Sequence, residues 1–493
     1  MRSAVLAIDA GTTGVTALMV AEDGVVLSRG YQEFPQHFPR GGWVEHNPED
    51  IWQATLGSCR SAVTATSATP VSVGVTNQRE TAVLWDRETL ASPRRAIVWQ
   101  DRRTAGICQH LREDGHEDRV RELTGLRLDP YFTGTKLTWL AVEEPHTWAG
   151  VQSGRVAVGT VDSYIVARLT RGLWHVTEAS NASRTLLFDI RSGQWSQELC
   201  ELFRVPLAAL PQIVPSYGIL GRTDPSVFLG LDLPIAGIAG DQQAALFGQT
   251  CFEPGRTKCT YGTGSFVLTN IGDKPVASGS GLVTTVAWGH PDGRLTYALE
   301  GSIFVTGAAI QWLRDGLALI SSSEESEALA SSVPDSGGVV VVPALTGLGA
   351  PDWDPSARGA VFGITRGTTR AHVVRATLEA IAYEVRDVVD LMVLEAAVDV
   401  PELTVDGGAA RNNLLCELQA AQLRIPVVRP TVAEATGLGA AFLAGLGSGV
   451  WSSVEELRTT WQLDRRFEPG PRDDAGHRRW RAAVERSKGW ADL

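Results

Sequence analysis

The sequence predicts an α/β protein of two related domains, and three observations carry that expectation. At 493 residues the chain is too long for a single hydrophobic core. The small and apolar run Pro234-Ile-Ala-Gly-Ile-Ala-Gly240 reads as a short buried strand that passes directly into Asp241-Gln242-Gln243 and a helix-forming segment. A strand–turn–strand unit around Gly11-Thr12-Thr13-Gly14 returns in the second half as Tyr261-Gly262-Thr263-Gly264. The break between domains is expected just after the helix that follows Asp241. It would divide the chain into an N-terminal domain, 1–249, and a C-terminal domain, 250–493.

Composition narrows the function. Apolar content of 44% and charged content of 20% describe an ordinary globular chain. A net charge of −12 with no basic stripe argues against nucleic acid or an anionic membrane as partner. The six cysteines (Cys59, Cys108, Cys200, Cys251, Cys259 and Cys416) form neither a CxxC pair nor a metal-ligand spacing, which predicts reduced thiols in a cytoplasmic protein. No basic-then-apolar leader precedes the first strand, and the apolar run at 339–343 is far too short to span a bilayer, so no membrane insertion is expected. Asn181-Ala-Ser183 matches a glycosylation sequon, which carries no weight without secretion.

Along the chain, residues 3–8 read as a strand ending in Asp9-Ala-Gly11-Thr12-Thr13-Gly14. A second apolar run and the turn Glu22-Asp23-Gly24 complete a hairpin meander. Turns rich in glycine and threonine expose backbone N–H groups and hydroxyls that can cradle phosphate. Asn47-Pro48-Glu49-Asp50 is a helix start, with cap, proline and acids against the dipole. Residues 71–75 and 96–99 read as buried strands leading into the polar stretches Thr76-Asn-Gln-Arg79-Glu80-Thr81 and Gln100-Asp-Arg-Arg103, which as isolated sequences are equally readable as solvated loops. In the second half, residues 339–342 read as a strand and 371–393 as a long helix. A strand over 403–405 ends in Asp406-Gly407-Gly408, where a flat or phosphorylated group can approach the backbone, and 436–445 reads as a helix of small residues. Set side by side, the two Gly/Thr turns place Asp9 against Tyr261, so the first turn is expected to hold a metal and the second phosphate alone. Asp241 lies where a strand gives way to a helix, the usual place of a ligand in an open α/β sheet. Aspartate is also a favoured helix cap, so the stretch alone leaves both readings open.

Two Gly/Thr turns plus a strand–Gly-Gly–helix element resemble the actin-like ATPase (ribonuclease H-like) fold, two such domains enclosing a central catalytic cleft. A narrower likeness lies in Gly42-Trp-Val-Glu-His46, Thr76-Asn-Gln-Arg-Glu-Thr81, Val98-Trp-Gln-Asp-Arg-Arg103, Asp129-Pro-Tyr-Phe132, Gly134-Thr-Lys136 and Gly240-Asp-Gln-Gln243. Thr260-Tyr-Gly-Thr-Gly264, Leu299-Glu-Gly-Ser-Ile-Phe304, Thr346-Gly-Leu-Gly-Ala350 and Asp406-Gly-Gly408 extend it. From about Val5 to the region of Trp451 the chain resembles the glycerol kinases of the FGGY carbohydrate kinase family. The resemblance implies ATP- and Mg²⁺-dependent phosphorylation of glycerol to glycerol 3-phosphate, with Asp241 as general base and Asp9 as the acid that holds Mg²⁺. It implies a polyol site of Arg79, Glu80, Trp99, Tyr131, Gln242 and Phe266 beside Asp241. It implies phosphate contacts from Thr12, Thr13, Gly14 and Thr263, and adenosine contacts from Gly307, Gln311, Gly408 and Asn412. Taken singly, Gln311 also reads as a solvent-facing helix residue and Asn412 as a helix cap. Homodimeric and homotetrameric assemblies are both compatible with the resemblance.

Departures matter as much. Where glycerol kinases typically carry Asp-Gln-Gly-Thr-Thr-Ser-Ser-Arg, this chain has Asp9-Ala-Gly-Thr-Thr-Gly14-Val15-Thr16, so a serine hydroxyl and an arginine charge near the phosphates are missing. Restoring the charge by Thr16→Arg is expected to strengthen ATP use. The fructose 1,6-bisphosphate loop of some bacterial members is absent from 221–230, and no histidine occurs in 225–230 for phosphorylation. Two alternatives stay open: a kinase for another small polyol or ketose (erythritol, dihydroxyacetone or xylulose), and a non-catalytic, actin-like nucleotide-binding sensor. Two adjacent side chains, Arg79 and Glu80, can serve one ligand only if the backbone there is irregular, because neighbours in a regular strand point to opposite faces.

Overall fold

Two mixed sheets, each founded on an antiparallel hairpin, organise residues 2–492, which the computed structural model describes. The first hairpin and its extension are β1 (Ser3–Ala10), β2 (Gly14–Ala21) and β3 (Val26–Glu33). Parallel to β1 runs β4 (Thr69–Asn77). After β5 (Tyr217–Arg222) comes β6 (Pro234–Gly240), parallel to β4, and the sheet order is β5-β6-β4-β1-β2-β3. The second sheet repeats the plan. Its hairpin is β7 (Thr257–Tyr261) and β8 (Ser265–Gly272), extended by β9 (Val283–Gly289) and β10 (Leu295–Ile303). On the other side β11 (Leu403–Asp406) and β12 (Val427–Pro430) run parallel to β7, and β13 (Leu463–Phe467) closes the order β9-β10-β8-β7-β11-β12-β13.

The near-continuous apolar character of β1 and β2 follows from burial on both faces. Leu6, Ile8, Ala17 and Met19 pack with Ile51, Trp52 and Cys59 of α1 (Pro48–Thr64), whose Asn47 cap accepts from the Glu49 N–H as its sequence predicts. Val5, Ala7, Leu18 and Val20 pack on the opposite face with Ala440, Leu443 and Ala444. Those three belong to the small-residue helix, here Ala435–Ser448, which comes from the second half of the chain yet lies against the first sheet. Small residues are needed there because backbones nearly touch. A Cβ added at Gly439 would lie 1.8 Å from the Ala244 carbonyl oxygen, and one at Gly237 would lie 2.4 Å from the Ala444 nitrogen. Gly439→Ala is therefore expected to destabilise the protein by about 1–3 kcal/mol through overpacking. Urea unfolding measures the loss; an unchanged midpoint would show that the two helices separate freely.

Several elements differ from the sequence reading. The strand expected at 96–99 is only Ala96–Ile97, because its ladder partner, Glu45–His46, is equally short. Residues Val340–Val342 form a strand, but it pairs with Ala360–Phe362 in a separate two-stranded sheet. The long helix runs Arg370–Ala396, held at its start by Thr369 and His372. Asp9 is matched not by Tyr261 but by Thr260. The hairpins close at Ala10–Val15 and at Tyr261–Ser265, the second turn being one residue shorter. Tyr261 is buried in the second core, where its hydroxyl donates to Gln419 Oε1 at 2.7 Å.

Candidate active site

Strand β6 ends at Gly240 and α2 (Asp241–Gly248) starts on the next residue. Gly240 holds the cap position and no side chain caps the helix, so the capping reading of Asp241 is not what its geometry shows. The Asp241 carboxylate is 26% exposed and faces Arg79, whose Nε lies 3.1 Å from Oδ1. The same Oδ1 accepts from the Gln242 N–H at 2.7 Å, so both contacts fall on one oxygen.

Arg79 and Glu80 follow the end of β4, and the irregularity their shared role requires is present: Glu80 has φ 61°, in the left-handed region. Both side chains are buried and point the same way, with Arg79 Nε 3.8 Å from Glu80 Oε1. Behind them stand two residues that the site prediction lacks. Glu300, on β10, takes Arg79 Nη1 at 2.5 Å and Arg184 Nη2 at 3.0 Å; Arg184 Nε donates to Glu80 Oε1 at 2.6 Å. Burial alone would push the Glu300 carboxyl up, but Arg184 and Arg79 hold it down at about 2. Burial raises the Glu80 carboxyl, against the pull of the same two arginines. The polar stretch 76–81 is thus a buried charge network and not a solvated loop.

Aromatic rings wall this network. The Tyr131 ring meets Trp99 edge-on at 5.5 Å between centroids, its hydroxyl is 3.4 Å from Arg79 Nη2, and the Arg79 guanidinium lies 5.7 Å from the Phe266 ring centroid. Lys136 explains the Gly134-Thr-Lys motif: its buried ammonium donates to the Pro130, Tyr131 and Phe132 carbonyls at 2.7, 2.6 and 3.1 Å, fixing the loop that presents Tyr131. Burial pushes the Lys136 amine down to about 8. Gln242 is brought to the same region but is engaged, its Oε1 accepting from Lys258 Nζ at 2.5 Å.

The two Gly/Thr turns have their carbonyls occupied from behind. In the first, Gln78 Nε2 donates to the Gly11 carbonyl at 3.0 Å and Gln36 Nε2 to the Thr12 carbonyl at 2.9 Å. His46 joins the two glutamines, contacting Gln36 Oε1 through Nε2 at 2.6 Å and Gln78 Nε2 through Nδ1 at 3.3 Å. Burial lowers its imidazole to about 3, so His46 is neutral, donating at Nε2 and accepting at Nδ1. Trp99 Nε1 donates to Thr12 Oγ1 at 2.9 Å, tying the aromatic wall to the turn. In the second turn, the Thr263 carbonyl accepts from the Thr306 and Ala308 N–H groups at 2.9 and 3.0 Å, and Gly307 N donates to the Gly262 carbonyl at 3.0 Å. A Cβ at Gly307 would lie 2.6 Å from that carbonyl oxygen, so only glycine allows this approach. Thr13 and Thr263 are exposed at the tips of their turns.

Asp9, at the end of β1, is pushed up to about 7 by burial and by the charge of Asp241, with Arg29 acting in the opposite sense. Two carboxylates that repel across one cleft are a fitting place for a divalent cation, and Mg²⁺ needs only one or two of them besides water and phosphate oxygens. Of the four expected adenosine residues, Gly408 opens on free space. Gln311 is exposed on the short helix Gly307–Gln311. Asn412 does cap a helix, Asn413–Leu423, its Oδ1 accepting from the Leu415 N–H at 3.0 Å.

Arg184 and Glu300 stand in or beside stretches that the sequence marks for other reasons. Glu300 lies inside the Leu299-Glu-Gly-Ser-Ile-Phe304 motif, and Arg184 follows the sequon. Asn181 of that sequon is buried, exchanging amide hydrogen bonds with Asn77 at 3.0 and 3.1 Å, which locks its helix to the end of β4.

Duplicated hairpins facing a strand-end carboxylate and a buried, aromatic-walled polar slot define a phosphoryl-transfer enzyme for small hydroxylated substrates. Comparison with known proteins gives its family. Residues 4–248 match the N-terminal domain of the FGGY family of carbohydrate kinases and 257–448 the C-terminal domain. The chain is 51% identical to glycerol kinase 2 of Thermotoga maritima, over 99% of each chain. It is 53% identical to the glycerol kinase of Dechloromonas aromatica, over 99% of this chain and 98% of that one. The crystal structure of Plasmodium falciparum glycerol kinase with ADP superposes with a TM-score of 0.91 at 32% identity, over 99% and 98% of the two chains. The chain belongs to the FGGY family of carbohydrate kinases.

Proposed function

We propose that this kinase transfers the γ-phosphoryl group of ATP to a terminal hydroxyl of glycerol, yielding sn-glycerol 3-phosphate and ADP. The observation that carries the reading is the slot itself. A guanidinium and a carboxylate, Arg79 and Glu80, are held side by side next to Asp241 and enclosed by Trp99, Tyr131 and Phe266. A triol hydroxyl both donates and accepts, so it calls for an anion and a cation together, while its carbon chain calls for apolar walls. The similar proteins named glycerol kinase support the same substrate.

In this reading Asp241 Oδ2 takes the hydroxyl proton, the Arg79 and Gln242 contacts both falling on Oδ1. The freed oxygen forms the new bond to the γ-phosphorus as the bond to the ADP oxygen breaks. Arg79 keeps the Asp241 carboxylate aimed at the slot. Thr12, Thr13, Gly14 and Thr263 offer N–H groups and hydroxyls to the phosphates, and Gly307, Gln311, Gly408 and Asn412 border the adenosine. Asp9 would hold Mg²⁺, which when bound would supply neutralisation of phosphate charge. Gln242, engaged with Lys258, sets the slot's edge. The division into 1–249 and 250–493 forms part of the proposal, the halves closing over the cleft to exclude water as acceptor. So does a cytoplasmic setting. Among the described residues all six cysteines are unpaired and buried, and no helix is long and apolar enough to cross a membrane.

A coupled ADP-release assay across glycerol, dihydroxyacetone, erythritol, xylulose and ribulose tests the substrate. Glycerol is expected to give the highest kcat/KM. Turnover on a ketose far above glycerol would overturn the assignment.

A further inference from the structure

The first turn has glycine at position 14 and threonine at position 16, so it offers neither a side-chain hydroxyl at the one nor a guanidinium at the other, and β3 closes on Gly14. A Cβ built on Gly14 would lie 2.8 Å from both Cε2 and the hydroxyl of Tyr31. The Gln32 carbonyl oxygen lies at the same 2.8 Å, so glycine is required at the turn because the β3 backbone and the Tyr31 ring and hydroxyl together stand where a serine side chain would be. Tyr31 is the cross-strand partner of Thr16, and Thr16 is the partner of Asp9, so these three side chains form one row on one face of the sheet. Arg29 lies two residues back along β3, on that same face. Its guanidinium stacks on Tyr31, 5.2 Å from the ring centroid. Its ion pair is with Glu434, just before the helix Ala435–Ser448, at 3.5 Å, with the two side chains 47% and 42% exposed. A pair that long and that exposed is weak and readily exchanged for a phosphate oxygen, which guanidinium binds with better geometry.

We propose that Arg29 and Tyr31 are further phosphate-positioning residues of this enzyme, beside the two Gly/Thr turns. Arg29 leaves Glu434 for a phosphate oxygen of the nucleotide, and the Tyr31 hydroxyl donates at the first turn, replacing from β3 what β2 no longer supplies. The inference rests on the cleft being an ATP site. No covalent step is involved; Arg29 and Tyr31 contribute hydrogen bonds and charge alone.

The test is calorimetric titration of ADP, without metal, into the full-length wild type and the variants Arg29→Ala, Tyr31→Phe, Glu434→Gln and Arg29→Ala/Thr16→Arg, alongside KM for ATP and for glycerol. Arg29→Ala is expected to weaken ADP binding and raise KM for ATP about tenfold, the loss of one charge-assisted contact, with KM for glycerol unchanged. Tyr31→Phe is expected to weaken ADP binding in the same direction and by less. Glu434→Gln, which frees Arg29, is expected to tighten ADP binding about threefold, an effect that damage to the fold cannot mimic. Adding Thr16→Arg to Arg29→Ala is expected to return most of the lost affinity. ADP binding by Arg29→Ala within twofold of wild type, or no tightening in Glu434→Gln, would overturn the inference. A wild type that binds no nucleotide at all would instead overturn the functional reading beneath it.

Discussion

Asp241→Asn lowers kcat for glycerol phosphorylation by about 10²–10⁴-fold, the range that a positioned general base contributes. The amide keeps the shape of the carboxylate and can still accept from the Gln242 N–H, but it cannot take a proton. Arg79 is the point to watch. Its Nε faces the carboxylate oxygen at 3.1 Å, yet its guanidinium also holds Glu300 at 2.5 Å, so the arginine stays anchored when one charge is removed. The helix loses no cap, because Gly240 and not Asp241 occupies the cap position. The variant is therefore expected to fold, to bind ADP with wild-type affinity, and to show KM for glycerol changed far less than kcat. Loss confined to kcat is the signature of a group that acts in the transition state. Full turnover in Asp241→Asn, measured by coupled ADP release, would remove Asp241 from the mechanism.

Much of this site was legible before any coordinates, for identifiable physical reasons. The strand–Asp241–helix junction and both Gly/Thr turns are local features, written in consecutive residues whose backbone conformation their own side chains dictate. The irregular backbone at Glu80 was implied by two adjacent polar residues needing one ligand, and its left-handed φ bears that out. What stayed hidden is held together across long separations. Arg184 and Glu300 lie over a hundred residues apart, and neither neighbours Arg79 in sequence, so only the approach of β10 to the end of β4 and to the residues after Asn181 brings them together. The sequon at Asn181, given no weight from the sequence, is a buried structural amide bonded to Asn77, a role that nothing in its own three residues states. The mispairing of Asp9 with Tyr261 is settled by hydrogen-bond register alone: Ala10 and Tyr261 are the residues that close the two hairpins, which sets Asp9 one place earlier, against Thr260. Helix 435–448 shows a third limit. Its small residues announce close packing, but nothing in them says that the partner is the sheet of the other half.

The largest loss of stability is expected at Arg184. Its side chain is wholly buried, as is that of Glu300, and it spans Glu80 and Glu300 with contacts of 2.6 and 3.0 Å. Arg184→Met preserves much of the volume but leaves two buried carboxylates facing the single guanidinium of Arg79. Removing one partner from a buried ionic network costs about 3–5 kcal/mol, because the remaining charge has lost its solvation and its compensation together. The carboxylate set free decides how the loss is partitioned. Glu300 keeps Arg79, whereas Glu80 retains only the 3.8 Å approach of Arg79 Nε, so Glu80 should be the group that takes up a proton or swings away. Two measurements follow from that asymmetry. Urea unfolding should give the stability loss, and adding Glu80→Gln to Arg184→Met should recover part of it, since the second change removes the carboxylate left uncompensated. KM for glycerol should rise more than tenfold, because the carboxylate that receives the substrate hydroxyls is no longer held in place. A stability change below about 1 kcal/mol in Arg184→Met, the scale of an exposed pair, would mean that water reaches this network and that the slot is not the dry, preorganised cavity its contacts describe.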